Sequence, residues 1–132
     1  TLLKKALVKA LTEYAHFIEK ERNLRVNFTH QVDQTLDQDK SVNIYRIVQE
    51  VVHNSVRHSG ATEITIDLRT HEDKLLLYLS DNGSGFDHKK AVLTGKGLGL
   101  RSIINRAQIA GGRCSATSVP GKGTSYLLEI PS

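Results

Sequence analysis

Apolar positions along the chain switch between a helical and an alternating rhythm, and the switches mark the elements. Leu3, Leu7, Ala10, Leu11, Tyr14 and Ile18 recur at i, i+3 and i+4, which predicts a helix over roughly residues 2–21 with Asn23 as its stop. Leu24, Val26 and Phe28 then alternate with Arg25, Asn27 and Thr29, the pattern of a strand with one apolar face. Residues 30–40 are polar and Asp-rich and read as a loop, with Ser41 placed to cap the next helix. That helix contains YRIVQEVVHNSVRHS, Tyr45 to Ser59. Its apolar stripe is Ile44, Ile47, Val48, Val51 and Val52, and Gly60 ends it. Glu63 to Arg69 alternates with Ile64, Ile66 and Leu68 on one face, His71-Glu72-Asp73 turns the chain, and Leu75 to Leu79 returns as a hairpin. Asp81 to Phe86 is a glycine turn, and residues 87–97 are polar, basic and without a period. Helical spacing resumes from Leu98 to Ala110 through Leu100, Ile103, Ile104 and Ala107, until Gly111-Gly112 stops it. Two short strands follow, Arg113 to Val119 and Ser125 to Ile130, around a turn at 120–123. Helix, strand, helix, two strands, helix, two strands predicts an α/β fold, a two-layer α+β sandwich with helices on one face of a mixed sheet.

Composition narrows the class. The 132 residues suffice for one domain with one core, and no repeat or low-complexity linker divides them. Three Phe, four Tyr and no Trp make that core aliphatic. A net charge of +4 suits an anionic ligand, but Lys and Arg are spread through the chain with no run resembling a nucleic-acid arm. Cys114 is the single cysteine, which leaves neither a disulfide framework nor a cysteine metal site and fits a reducing compartment. No apolar run approaches the ~20 residues of a membrane span, and no stretch of these residues reads as a signal peptide. The expectation is a cytoplasmic domain with no membrane contact of its own. It opens on Thr1 inside a helical pattern and has no Met, as expected of a piece cut from a longer protein.

Three stretches carry candidate chemistry. Glu50, Asn54 and Arg57 stand at i, i+4 and i+7, in a row apart from the apolar stripe. A carboxylate, an amide oxygen and a guanidinium in one row suit a metal-bound polyphosphate, although a solvated helix face has the same look. Asp81-Asn82-Gly83-Ser84-Gly85-Phe86 follows a strand. Gly83 and Gly85 allow close approach to a flat ligand, and the Asp81 carboxylate can accept from an exocyclic amine, the contact that selects adenine over guanine. The plainer reading is an ordinary Asn-Gly turn. Gly95-Lys96-Gly97-Leu98-Gly99-Leu100 opens a helix, where free N–H groups and the helix dipole receive phosphate and Lys96 and Arg101 add charge. Its context is neither strand–GxGxxG–helix nor GxxxxGK[ST]. Gly121-Lys122-Gly123-Thr124 reads as a hairpin turn unless Thr124 points back towards Asp81.

Together, from Asp39 onward, these segments resemble the Bergerat-fold ATPases: DNA gyrase, the MutL proteins, the large heat-shock chaperone and the catalytic domains of histidine kinases. QEVVHNSVRHS looks like the N box, DNGSGF, GKGLGLRSI and GKGTS like the glycine boxes. RIVQE…N…H and G-x-GLGLRS are most similar to sensor kinases of the nitrate-sensor type. The resemblance implies a mostly antiparallel sheet, ATP and Mg²⁺ as cofactors, and one catalytic domain over residues 1–132 with 87–97 as the ATP lid. It implies Asn54 as the Mg²⁺ holder and Glu50 as the acidic N-box residue, the catalytic pair. Arg57 becomes a phosphate contact, and His58 stands where many such kinases have Tyr or His. Asp81 reads adenine with Gly83 and Gly85 beside the purine. Gly95, Lys96, Gly97, Leu98 and Gly99 form the phosphate-facing end of the lid, and Thr124 is the last adenine-side contact.

The implied activity is transfer of the ATP γ-phosphoryl group to a histidine on a dimerisation module, and through it to a response regulator. The chain's own histidines lack that context. His16, among Tyr14, Ala15, Phe17 and Ile18, is expected on a packed face; His30, His71 and His88 fall in loops; His53 and His58 lie in the N box. The expectation is a catalytic half whose dimerisation domain is absent. Two alternatives differ in class. An anti-sigma-factor-type serine kinase shares the Glu…Asn N box but not GLGLRSI or GKGTSYLLEIP. A non-catalytic nucleotide-binding or basic nucleic-acid module has no need of Glu50, Asn54 and Asp81 together.

Overall fold

The computed structural model describes residues 2–33, 38–58, 60–84 and 98–131. The elements are α1 (Leu2–Arg22), β1 (Arg25–Gln31), α2 (Gln38–His58), β2 (Glu63–His71), β3 (Lys74–Asp81), α3 (Leu98–Ile109), β4 (Arg113–Val119) and β5 (Gly123–Pro131). The strands form one five-stranded sheet in the order β1-β2-β3-β5-β4. β1 lies parallel to β2, and the other neighbours are antiparallel.

Side chains alternate across a sheet, so cross-strand register decides which residues share a face. Ile66 pairs with Leu79 and Leu79 with Tyr126; Leu68 pairs with Leu77 and Leu77 with Leu128. These rows are buried, and α2 covers them with Ile44, Ile47, Val48, Val51 and Val52, buried as well. Each such aliphatic side chain contributes roughly 1.5–3 kcal/mol by leaving water. α1 packs on α2 and β1, and α3 on α2 and β4, so α2 is the middle of the helix layer. The other sheet face is open, with Tyr78 opposite Leu127, both exposed. Glu129 there bridges Arg113 at 3.0 Å and Lys74 at 3.6 Å. The fold is the expected two-layer α+β sandwich with its helices on one face. Among the described residues, no helix is long and apolar enough to cross a membrane.

Several boundaries differ from the sequence reading. α2 begins at Gln38, so Ser41 lies inside it; its Oγ is buried with no hydrogen-bond partner among the described residues. Asp39 in the first turn instead meets the positive end of the helix dipole. β1 runs on through His30 and Gln31 because β2 offers them partners in Leu68 and Arg69. β3 and β5 lengthen in the same way, to Asp81 and from Gly123. His16 is exposed rather than packed: the buried stripe of α1 is Leu7, Leu11, Ala15 and Ile18, and His16 and Phe17 fall outside it.

Candidate functional site

Asp81 is the last residue of β3, in a cross-strand row that runs from Ile64 through Asp81 and Thr124 to Ser118. Ile64 and Thr124 are buried, so this row belongs to the helix-covered face and Asp81 stands where that face reaches its edge. There α2 meets it. Ser55 Oγ donates to Asp81 Oδ2 at 2.6 Å, and the Gly83 N–H donates to Oδ1 at 2.9 Å. Ser55 is only 3 % exposed. A buried hydroxyl without a partner costs about 1–3 kcal/mol, and the Asp81 carboxylate removes that cost. Tyr126 senses the same carboxylate: burial first, then the charges of Asp81 and Cys114, push its phenol above the usual tyrosine range.

The loop after Asp81 is tied down by Asn82. Its Oδ1 accepts from the N–H groups of Thr62 at 2.9 Å and Glu63 at 3.0 Å, and its Nδ2 donates to Thr62 Oγ1 at 2.9 Å. On the other side, Gly123 has φ +91°, and a Cβ there would lie 2.1 Å from the Asp81 carbonyl oxygen. Only glycine lets β5 start this close to β3. Thr124 follows directly, and its Oγ1 shares a hydrogen bond with Ser118 Oγ at 2.8 Å. The Gly121 N–H donates to the Ser84 carbonyl, joining the two glycine turns.

The structure thus brings Asp81, Gly83 and Thr124 together. It adds Ser55, which the sequence reading left out. Its signal was there: a lone hydroxyl three and four residues after Val52 and Val51, on a stripe otherwise built of Val and Ile. Asn54 is half-buried beside it on α2. Glu50 is elsewhere. It lines a cleft of about 540 Å³ with Tyr14, Arg46, Gln49, His53 and Arg106. Arg57 and His58 belong to the last turn of α2, and Leu98 and Gly99 to the first turn of α3, but their side chains lie outside the described residues. Gly85 and residues 87–97, with Gly95, Lys96 and Gly97, lie outside them altogether.

Residues 39–132 match the family model described as histidine kinase-, DNA gyrase B-, and HSP90-like ATPase. Three curated relatives come from Bacillus subtilis strain 168. Sensor histidine kinase ComP is 36% identical over 127 residues, covering 94% of this chain and 16% of ComP. Sensor histidine kinase LiaS is 34% identical over 131 residues, covering 99% of this chain and 36% of LiaS. The histidine-protein kinase/phosphatase DegS is 32% identical over 131 residues, covering 95% of this chain and 34% of DegS. The chain therefore spans between about a sixth and just over a third of these relatives. Among solved structures, the histidine kinase domain of the blue-light activated kinase EL346 from Erythrobacter litoralis superposes with a TM-score of 0.69 at 21% identity. That match covers 98% of this chain and 60% of that one.

Proposed function

The chain belongs to the histidine kinase-, DNA gyrase B- and HSP90-like ATPase family, and from that membership we propose that it is the catalytic domain of a two-component sensor histidine kinase, one that passes the γ-phosphoryl group of ATP to a histidine on a separate dimerisation module.

The observation that carries this reading is the fixed carboxylate of Asp81. Ser55 and Gly83 each take one of its oxygens, and each oxygen keeps a further lone pair. The 6-amino group of adenine can donate there. Guanine offers a carbonyl at the same place, and two acceptors facing each other in a buried site cost roughly 1–3 kcal/mol. Among the described residues no three of His, Cys, Asp and Glu converge on a metal-sized space. Asn54, through its amide oxygen, is the residue that would hold a Mg²⁺ brought with the nucleotide, since Mg²⁺ beside phosphates takes few protein ligands. In this reading Glu50 is the acidic N-box group, Arg57, His58 and the glycines at 95, 97 and 99 are assigned as phosphate contacts, Gly85 as a base contact and 87–97 as the lid. The acceptor imidazole nitrogen attacks the γ-phosphorus in line, and the bond to the bridging oxygen breaks to release ADP. The dimerisation module and, beyond it, a response regulator are the partners of this reading, and the cytoplasm is its compartment.

Calorimetric titration tests it. ATP and ADP should bind, GTP should not, and Asp81→Asn should weaken ATP binding about tenfold or more, at 1.4 kcal/mol per decade. Asn54→Ala should remove the Mg²⁺-dependent part of the affinity. Equal affinity for GTP and ATP in the unaltered chain would overturn the assignment of Asp81.

A further inference from the structure

Thr124 carries a hydroxyl beside the Asp81 carboxylate, yet that hydroxyl turns the other way. Asp81, Thr124 and Ser118 are consecutive members of one cross-strand row, on β3, β5 and β4. Cross-strand partners on one face hold their Cβ atoms roughly 4.5–5.5 Å apart, so Thr124 has Asp81 on one side and Ser118 on the other. Its hydroxyl lies 2.8 Å from Ser118 Oγ. Ser118 Oγ also reaches the Gly123 carbonyl at 3.5 Å, which holds it against the start of β5. The Asp81 carboxylate takes its donors elsewhere, from Ser55 at 2.6 Å and the Gly83 N–H at 2.9 Å. Thr124 is only 5 % exposed, so water competes little for its hydroxyl. A β-branched side chain has few rotamers at χ1, and one that aims Oγ1 at β4 aims it away from β3.

We propose that Ser118 is a positioning residue of the base site: it keeps the Thr124 hydroxyl off the Asp81 carboxylate and so leaves that carboxylate free to accept the 6-amino group of adenine. The inference rests on the reading of Asp81 as the group that selects adenine. An ionised carboxylate has about four lone-pair sites, and Ser55 and Gly83 take two of them. A donation from Thr124 would take a third and draw the carboxylate towards β5. Hydrogen bonds to an ionised acceptor are roughly twice as strong as neutral ones. A Thr124 hydroxyl deprived of Ser118 therefore turns to its other cross-strand neighbour, Asp81, and an arriving amine has to displace it. Ser118 acts on Asp81 only through Thr124. It stands on the edge strand β4, between the exposed Thr117 and Val119, and neither α2 nor the turn after Asp81 carries it.

Calorimetric titration of the 132-residue chain tests this with two ligands, ATP and purine riboside triphosphate, which lacks the 6-amino group. Ser118→Ala should weaken ATP binding about fivefold or more and leave the affinity for the amine-free ligand unchanged. Ser118→Thr, which keeps the hydroxyl, should bind ATP as the unaltered chain does. Thr124→Val removes the hydroxyl that Ser118 holds; whatever that change costs by itself, adding Ser118→Ala to it should cost nothing more. Urea midpoints of the variants separate binding from folding. Unaltered ATP affinity in Ser118→Ala, an equal loss for both ligands, or an undiminished effect of Ser118→Ala in the Thr124→Val background would each overturn the proposal while leaving Asp81 as the group that selects adenine. Failure of the unaltered chain to prefer ATP to the amine-free ligand would overturn the reading of Asp81, and this inference with it.

Discussion

Ser55 and Glu50 lie five residues apart on α2 and serve two polar regions built on opposite terms. Around Asp81, both carboxylate oxygens, the Ser55 hydroxyl and the Asn82 amide all have partners within the chain. Around Glu50, three charged side chains share a cleft with no ion pair among the described residues, and one guanidinium N–H is buried with no partner among them. A satisfied network in a low-dielectric setting is rigid and holds one geometry, which suits a group that must discriminate between flat bases. Charges at an open cleft with no ion pair among the described residues are solvated by water and hold no single geometry. Substitution should therefore cost stability in the first region and little or none in the second.

The largest effect is expected at the seam between the glycine turns. Gly123→Val places a Cβ on the Asp81 carbonyl and forces a β-branched residue to positive φ, and should cost about 3 kcal/mol or more or prevent folding. Gly121→Ala is the matched control: φ is +81° but nothing lies within 4 Å, so only the backbone strain of about 1–2 kcal/mol applies. Urea denaturation of the two measures the difference. Equal costs would mean that the β3–β5 approach is not tight, and the contrast between the two regions would lose its foundation.

Next come the hydrogen bonds that fix Asp81. Ser55→Ala leaves an oxygen of the half-buried Asp81 carboxylate short of a partner and should lower stability by about 1–3 kcal/mol. It should also weaken ATP binding, because the carboxylate gains freedom. Asn82→Ala removes contacts to Thr62 and Glu63, but Asn82 is exposed and water can replace them. A loss of about 1 kcal/mol or less is expected. A larger loss for Asn82 than for Ser55 would mean that the loop, rather than α2, positions the carboxylate.

Much of the first region was legible in the sequence and little of the second. The apolar stripe of α2, the β2–β3 hairpin and Asp81 at a strand end all follow from periodicity and glycine placement, which are local. The relevance of Thr124 hangs on its direction towards Asp81; the β3–β5 register pairs the two, while the Thr124 hydroxyl bonds Ser118 on β4. Ser55 was passed over because the stripe was read for its apolar members alone. Ser41 looked like a cap because a capping residue is recognised by type, whereas α2 already runs from Gln38. Arg106 was invisible for a different reason. Periodicity placed Ile103, Ile104 and Ala107 towards the core, but the contact of α3 with the Glu50 face of α2 depends on packing between distant elements.

The smallest effect, opposite in sign, should come from the cleft. Arg106→Met replaces the guanidinium by an unbranched side chain of similar reach and removes the buried Nε–H that has no partner. Deleting an unsatisfied donor releases its desolvation cost, while the lost charge had no ion pair among the described residues to lose. The variant should be unchanged or more stable by up to about 1 kcal/mol, and its urea midpoint should stay level or rise with an unchanged slope. Arg46→Gln, at an exposed position with no ion pair among the described residues, should remain within about 0.5 kcal/mol of the unaltered chain. A loss of more than 1 kcal/mol for Arg106→Met would show that the guanidinium is structurally engaged in the free chain. The cleft would then be a satisfied network like the one around Asp81, and the contrast between the two faces of α2 would fail.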